Sequence, residues 1–219
     1  MSQATPADSN TGNTGFWKEL ESWKTPEAKE VGPPVEVGSK APWMAELRLP
    51  DGKPTLVVFL RHCGCPSLSA HHQPVAEKTF KSLATLSEEH HQVHCIAVSH
   101  SSAEATDHWL PQVGGSWDVD VIIDEGRDIY AKWGLGISST WHAVNPVTLW
   151  SVFSLGKNEG IWNRPTESGS RWQTSGAFAV DRDGTIRWAH VSRTADDVPD
   201  LQAAATALGF SPKAAKKSH

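Results

Sequence analysis

Three short apolar runs, "TLVVFL" (55–60), "VHCIAVS" (93–99) and "VDVIID" (119–124), limit what this chain can fold into. Each is far too short to span a bilayer. The first is a continuous apolar run, as suits a strand covered on both faces in a parallel sheet; the second reads as another buried strand and the last as a third strand. Helical patterns separate them. From Ser67 to about His90, residues Leu68, Val75, Thr79, Leu83 and Leu86 fall along one stripe, and Pro74 is expected to kink its first turns. Ser101 and Glu104 have capping-box spacing ahead of a helix carrying Trp109 and Leu110. "GRDIYAKWG" reads as a short helix stopped by Gly134. Beyond it, "GAFAVDRDGTIRWAHV" reads as two strands around an Asp-Gly turn, and "DVPDLQAAATALG" as a last helix ended by Gly209. Alternating strands and helices imply a three-layer α/β fold, and the closing hairpin makes its sheet mixed.

The flanks divide the chain further. Residues 1–14 are polar and read as a disordered tail. Residues 15–35 hold "FWKELESWK", with Phe16, Trp17, Leu20 and Trp23 at helical spacing, and then a Pro/Gly-rich linker. The folded domain is expected over 36–210, with a basic tail at 211–219. Within the domain, 135–173 shows few clear elements, and long segments of that kind inside a compact fold usually serve function.

Charge and cysteine content exclude several classes. A net charge of −5 with no basic patch gives no sign of a nucleic-acid surface. No apolar run approaches a membrane span, and the polar N-terminus lacks a secretory signal pattern. Three cysteines do not make a disulfide framework, so a cytoplasmic location is expected. The 11 tryptophans stand against one tyrosine, and Trp133, Trp141, Trp150, Trp162 and Trp172 cluster along one stretch. Such residues fill cores, or wall a pocket for a bulky organic molecule.

A buried strand leading into a cysteine at the start of a kinked helix, closed later by a hairpin and a last helix, resembles the thioredoxin fold. More closely, "VGSKAP", "LPDGKPTLVVFLRHCGCP", "VIIDEGRDIYAKWGLG" and "GAFAVDRDGTIRW", in that order over roughly 36–210, resemble the alkyl hydroperoxide reductase/thiol-specific antioxidant family in its peroxiredoxin-like branch. The resemblance implies a thioredoxin-like three-layer sandwich with a mixed central sheet, here with an N-terminal extension and a Trp-rich insert before the C-terminal hairpin. It also implies a reactive cysteine, which falls on Cys65. In the Pro-x-x-x-Thr-x-x-Cys loop of ordinary peroxiredoxins the Thr position is His62 here, and the Pro position is Val58. The second cysteine of the branch's Cys-x-x-Cys falls on Leu68, and the place of the thioredoxin cis-proline holds Gln173, Thr174 and Ser175.

The corner "RHCGCPSLSAHH" (61–72) carries the candidate chemistry. A thiol at a helix start gains from the unpaired N–H groups and the dipole, and Arg61 with His62 adds positive charge. A thiol so activated attacks a peroxide or disulfide. The alternative is that Cys65 is a small buried residue at a tight turn. Cys63 is a candidate resolving thiol. A Cys63–Cys65 bridge would be strained, because extended residues two apart approach the limit of about 6.8 Å between Cα atoms. Cys95, mid-strand, reads as an inert buried thiol. His62, Cys63, Cys65, His71 and His72 are close in sequence, but their spacing is not that of a zinc site, so no metal and no other cofactor is expected.

The insert supplies the candidate substrate contacts: Trp141, His142, Trp162, Arg171, Trp172, Gln173 and Thr174. In the fold implied, the loop before the hairpin faces the helix-start cysteine. Arg and Trp together suit an anionic or aromatic organic molecule; the alternative is a surface subdomain packed by its own tryptophans. Two functions are therefore weighed. The first is a thiol-dependent oxidoreductase that reduces an organic hydroperoxide or disulfide through Cys65. Cys63 or an external thiol such as glutathione or thioredoxin would resolve it, in a chain that the resemblance allows to be a homodimer. The second is a non-redox enzyme or binding protein for a bulky aromatic metabolite, as in secondary metabolism.

Overall fold

The computed structural model describes residues 27, 29–49, 52–61, 75–137, 169–170, 172–194 and 197–211. The three apolar runs form β1 (Thr55–Phe59), β2 (His94–Ser99) and β3 (Val119–Ile123), and the hairpin forms β4 (Gly176–Val180) and β5 (Ile186–Val191). They make one five-stranded sheet in the order β3-β2-β1-β4-β5. The pairs β1/β2 and β2/β3 are parallel, whereas β1/β4 and β4/β5 are antiparallel. The central strand β1 is buried throughout. Its alternate residues feed two cores, as the pleat requires. Leu56 and Val58 pack with Phe80, Leu83, Trp109, Leu201 and Ala204 on one face. Val57 and Phe59 pack with Ile96, Tyr130, Trp133 and Phe178 on the other. Helices thus cover both faces of a mixed sheet, which is the thioredoxin-like α/β architecture.

Local chemistry sets the helix limits. Helix α1 (Val75–Glu89) buries Thr79, Leu83 and Leu86 from the sequence stripe, together with Phe80; Leu68 and Pro74 lie outside the described residues. The second helix, α2 (Ala103–Trp109), starts one residue later than the capping-box spacing suggested. Ser102, not Ser101, is the N-cap, its hydroxyl accepting from Ala105 N at 3.3 Å, while Ser101 is buried against the strand end. A single 3₁₀ turn (Leu110–Val113) follows. Helix α3 (Asp128–Lys132) ends at Gly134, whose φ of 73° only glycine adopts easily. A Cβ there would also meet Pro33 O at 2.9 Å. Helix α4 (Leu201–Ala207) is capped by Asp200, whose carboxylate accepts from Gln202 N and Ala203 N.

The Pro/Gly-rich stretch before β1 is more than a linker. Gly32 N donates to Ala131 O at the end of α3. Further on, Gly38 N donates to Ile186 O (2.8 Å), Ile186 N to Ser39 O (2.9 Å) and Ala41 N to Gly184 O (2.9 Å). Lys40 bridges Thr185 in antiparallel fashion, and its ammonium donates to Asp183 O. This strap therefore clips onto the start of β5 at the hairpin turn, where Asp181 holds the Asp183 and Thr185 amides.

Candidate functional site

Strands β1, β2 and β3 run parallel, so their C-terminal ends open on one side, and the chain reverses its direction of travel across the sheet between β1 and β4. In open α/β sheets, ligands bind at that kind of place. The residues leaving the strands there are Leu60 and Arg61 after β1, His100 after β2 and Asp124 after β3. Ser170, ahead of β4, meets His100 there.

Asp124 organises the first contact. Its carboxylate accepts from three α3 amides: Asp128 N (2.9 Å), Ile129 N (2.8 Å) and Tyr130 N (3.0 Å). Burial raises the carboxyl's pKa, and the three N–H groups pull against that shift without cancelling it. Asp124→Ala should lower stability by about 2 kcal/mol, as the loss of a multiply bonded cap does. Asp124→Asn should lose less, because one acceptor oxygen remains. Urea unfolding of the three proteins measures both.

The cap fixes Tyr130, whose ring stands edge-on to Phe59 (centroids 5.0 Å apart) and to His100 (5.3 Å). Its hydroxyl donates to Leu60 O at 2.6 Å and also lies 2.8 Å from Val98 O. His100 is buried beside it. Burial, with the charges of Arg127 and Arg61, lowers its pKa to about 4 against the favourable pull of the Ser170 and Leu60 carbonyls. The imidazole is therefore neutral at pH 7. Nε2 is 3.1 Å from Ser170 O, an acceptor only, so Nε2 carries the proton, and Nδ1 faces the Tyr130 hydroxyl at 3.4 Å. Arg61 is also buried, and a guanidinium keeps its charge. A fixed cation thus stands at the first residue of the corner, next to an uncharged histidine.

The segment before the hairpin forms the second wall. Gln173 bridges Ile137, Thr174 N donates to Gly136 O (3.0 Å), and the buried Gln173 amide donates to Leu135 O (2.9 Å) and Gly136 O (3.2 Å). Beside it opens a cleft of about 220 Å³, with Lys29, Val31, Arg127, Leu135, Gly136 and Gln173 among its walls.

Of the predicted catalytic residues, Arg61 is at this strand end, while His62, Cys63 and Cys65 lie outside the described residues. Of the predicted substrate contacts, Trp172, Gln173 and Thr174 are in the second wall, while Trp141, His142, Trp162 and Arg171 lie outside the described residues. Cys95 is buried in β2, where burial and the nearby Asp118 charge push its thiol up to about 12, so it is no nucleophile at neutral pH. Sequence reasoning missed His100, Tyr130 and Asp124. The available signals were that Tyr130 is the chain's one tyrosine and that His100 follows a buried strand directly. Among the described residues no three His, Cys, Asp or Glu side chains gather to hold a metal ion, and no helix is long and apolar enough to cross a membrane.

Comparison with known proteins adds the family. No curated protein sequence matches the chain. Among solved structures, it is similar to a thiol peroxidase from Chromobacterium violaceum, at 15% identity and a TM-score of 0.49 over 83% of this chain and 91% of that one. It is also similar to a peroxiredoxin-like protein from Aquifex aeolicus, at 13% identity and a TM-score of 0.48 over 82% and 90%. A third is the yeast mitochondrial 1-Cys peroxiredoxin, whose thiol resolving mechanism runs via glutathione/thioredoxin systems, at 14% identity and a TM-score of 0.45 over 76% and 71%. The model of the AhpC/TSA antioxidant enzyme family matches residues 82–194, just over half of the chain, from within α1 to the end of the hairpin. With this match over more than half of its length, on a mixed thioredoxin-like sheet, the chain belongs to the AhpC/TSA antioxidant enzyme family.

Proposed function

We propose that the chain is a thiol-dependent oxidoreductase that reduces an organic hydroperoxide through Cys65. The observation that carries this reading is the buried Arg61 guanidinium at the end of β1, four residues before that cysteine in sequence. Beside a neutral His100, its charge favours a nearby thiolate over the thiol. The Cys65 thiolate attacks one peroxide oxygen, the O–O bond breaks, and the alcohol leaves after taking up a proton. Cys65 is then a sulfenic acid. A second thiol attacks its sulfur, water departs and a disulfide forms. Where that second thiol is external, one further thiol restores Cys65 and leaves with it as a disulfide. Where it is Cys63, two external thiols are consumed to restore both cysteines.

Cys63 is the internal candidate for the resolving thiol, with His62 adding to the charge of the corner. Leu68 stands where a Cys-x-x-Cys partner would be, which favours an external donor such as glutathione or thioredoxin. Trp172, Gln173 and Thr174 border the substrate, joined by Trp141, His142, Trp162 and Arg171 of the insert. The working unit is 36–210, acting in the cytoplasm and able to pair as a homodimer.

Titration with cumene hydroperoxide, followed by mass measurement after sulfenic-acid trapping, tests the reading. Cys65 should be labelled in Cys63→Ser protein, with Cys95 untouched, and Cys65→Ser should lose peroxide consumption altogether. Absence of both sulfenic acid and disulfide at Cys65 overturns the proposal. The scaffold would then serve as a non-redox site for an aromatic metabolite, with the Trp-rich insert its centre.

A further inference from the structure

We infer that Tyr130 and His100 act together as a positioning pair that holds the end of β1 and the segment before the hairpin from one point. This rests on the proposed role of Cys65 only in what the site between them is for. One wall is the end of β1. The Tyr130 hydroxyl donates to Leu60 O (2.6 Å), the last carbonyl before Arg61 and the cysteine corner. It also lies 2.8 Å from Val98 O, the carbonyl to which Leu60 N donates at 2.9 Å. The backbone at Leu60 is thereby fixed through both its N–H and its C=O. The other wall is the segment before the hairpin. His100 Nε2 donates to Ser170 O (3.1 Å), two residues before Trp172. The pair is joined by the 3.4 Å contact between His100 Nδ1 and the Tyr130 hydroxyl, and by their edge-on rings.

Neither residue is placed to touch substrate: Tyr130 is fully buried and His100 nearly so. Their contribution is geometric. The end of β1 and residues 172–174 are far apart in sequence, and the backbone bonds of the latter run to Gly136 and Ile137. A reaction that needs its nucleophile, cation and substrate in register is sensitive to shifts of about 1 Å. Asp124, by capping α3 at the Tyr130 amide, sets where the hydroxyl points.

Tyr130→Phe is the test, because the ring keeps its packing against Phe59 and only the hydroxyl goes. In full-length protein, hydrogen exchange should quicken together at residues 59–61 and 172–174 and stay unchanged in the distal β4–β5 hairpin. The rate constant for cumene hydroperoxide, per folded molecule, should fall about tenfold. His100→Leu should loosen the second wall in the same way. His100→Gln, whose amide can still donate to Ser170 O, should recover part of the rate. Faster exchange over the whole sheet, or at one wall alone in Tyr130→Phe, overturns the inference, as does an unchanged peroxide rate with both walls loosened. If wild-type Cys65 forms no sulfenic acid, the proposed function fails, and the exchange pattern still decides the role of the pair.

Discussion

Trp133→Ala is expected to destabilise the protein by about 4 kcal/mol, the range seen when a large aromatic is cut from a packed core. Trp133 is wholly buried, with its ring 5.4 Å from Phe59 and 5.0 Å from Phe178. It sits just after α3, a helix of five residues. So short a helix has little stability of its own, and its place depends on the side chains it buries. Removing the indole should therefore loosen α3 on the sheet and release Tyr130 with it. Trp133→Phe should cost less than half as much. The indole N–H finds no acceptor among the described residues, so the phenyl ring gives up volume without giving up a hydrogen bond. Chemical denaturation of the three proteins gives both differences. Equal losses for Ala and Phe would contradict this account.

The second large effect is acid sensitivity that traces to one residue. His100 titrates near 4 in the fold, against an unfolded value of about 6.5. Above pH 6.5 both states leave the imidazole neutral, and His100 adds no pH dependence. Between 6.5 and about 4 the unfolded chain binds a proton that the folded chain refuses, so stability falls as the pH falls. The full loss, reached below the folded value, is about 3 kcal/mol. His100→Gln cannot titrate and should lack this component. The informative quantity is the difference between the two urea midpoints at pH 7 and again at pH 4.5. Every other group is the same in both proteins and cancels in that difference. Parallel loss in the two proteins would mean that His100 is not held neutral.

The sheet was legible where burial had erased polar alternation. "TLVVFL" and "VHCIAVS" could be read as strands because both their faces are covered, and Asp183-Gly184 marked the hairpin because a tight reversal there needs a positive φ, 78° at Gly184. Which of two adjacent serines caps α2 was not legible. Both have the chemistry, and the choice follows from Ser101 being buried against β2. The strand-end cluster was hidden for a different reason. Leu60, His100, Asp124 and Ser170 are far apart in sequence, and each looks locally like the residue after a strand or within a loop. Only strand order brings them together. Nor did the sequence show that the Gln173 amide N–H groups are taken up by Leu135 and Gly136 carbonyls.

The strap at 38–41 bears on how this chain becomes a finished molecule. Strand β5 is the last in the sheet order, and an uncovered strand edge is a template on which a second chain can add. The strap takes up both backbone groups of Ile186 and so blocks the start of that edge. Yet its partners are far away in sequence, 145 residues in the Lys40–Thr185 contact. A contact of that span closes a long loop and comes after the local elements have formed. The strap is synthesised before every strand it protects and is positioned only once the hairpin exists. The interval between hairpin formation and strap closure is therefore when the chain is most open to joining its neighbours, and a strap that lets go would reopen the same edge.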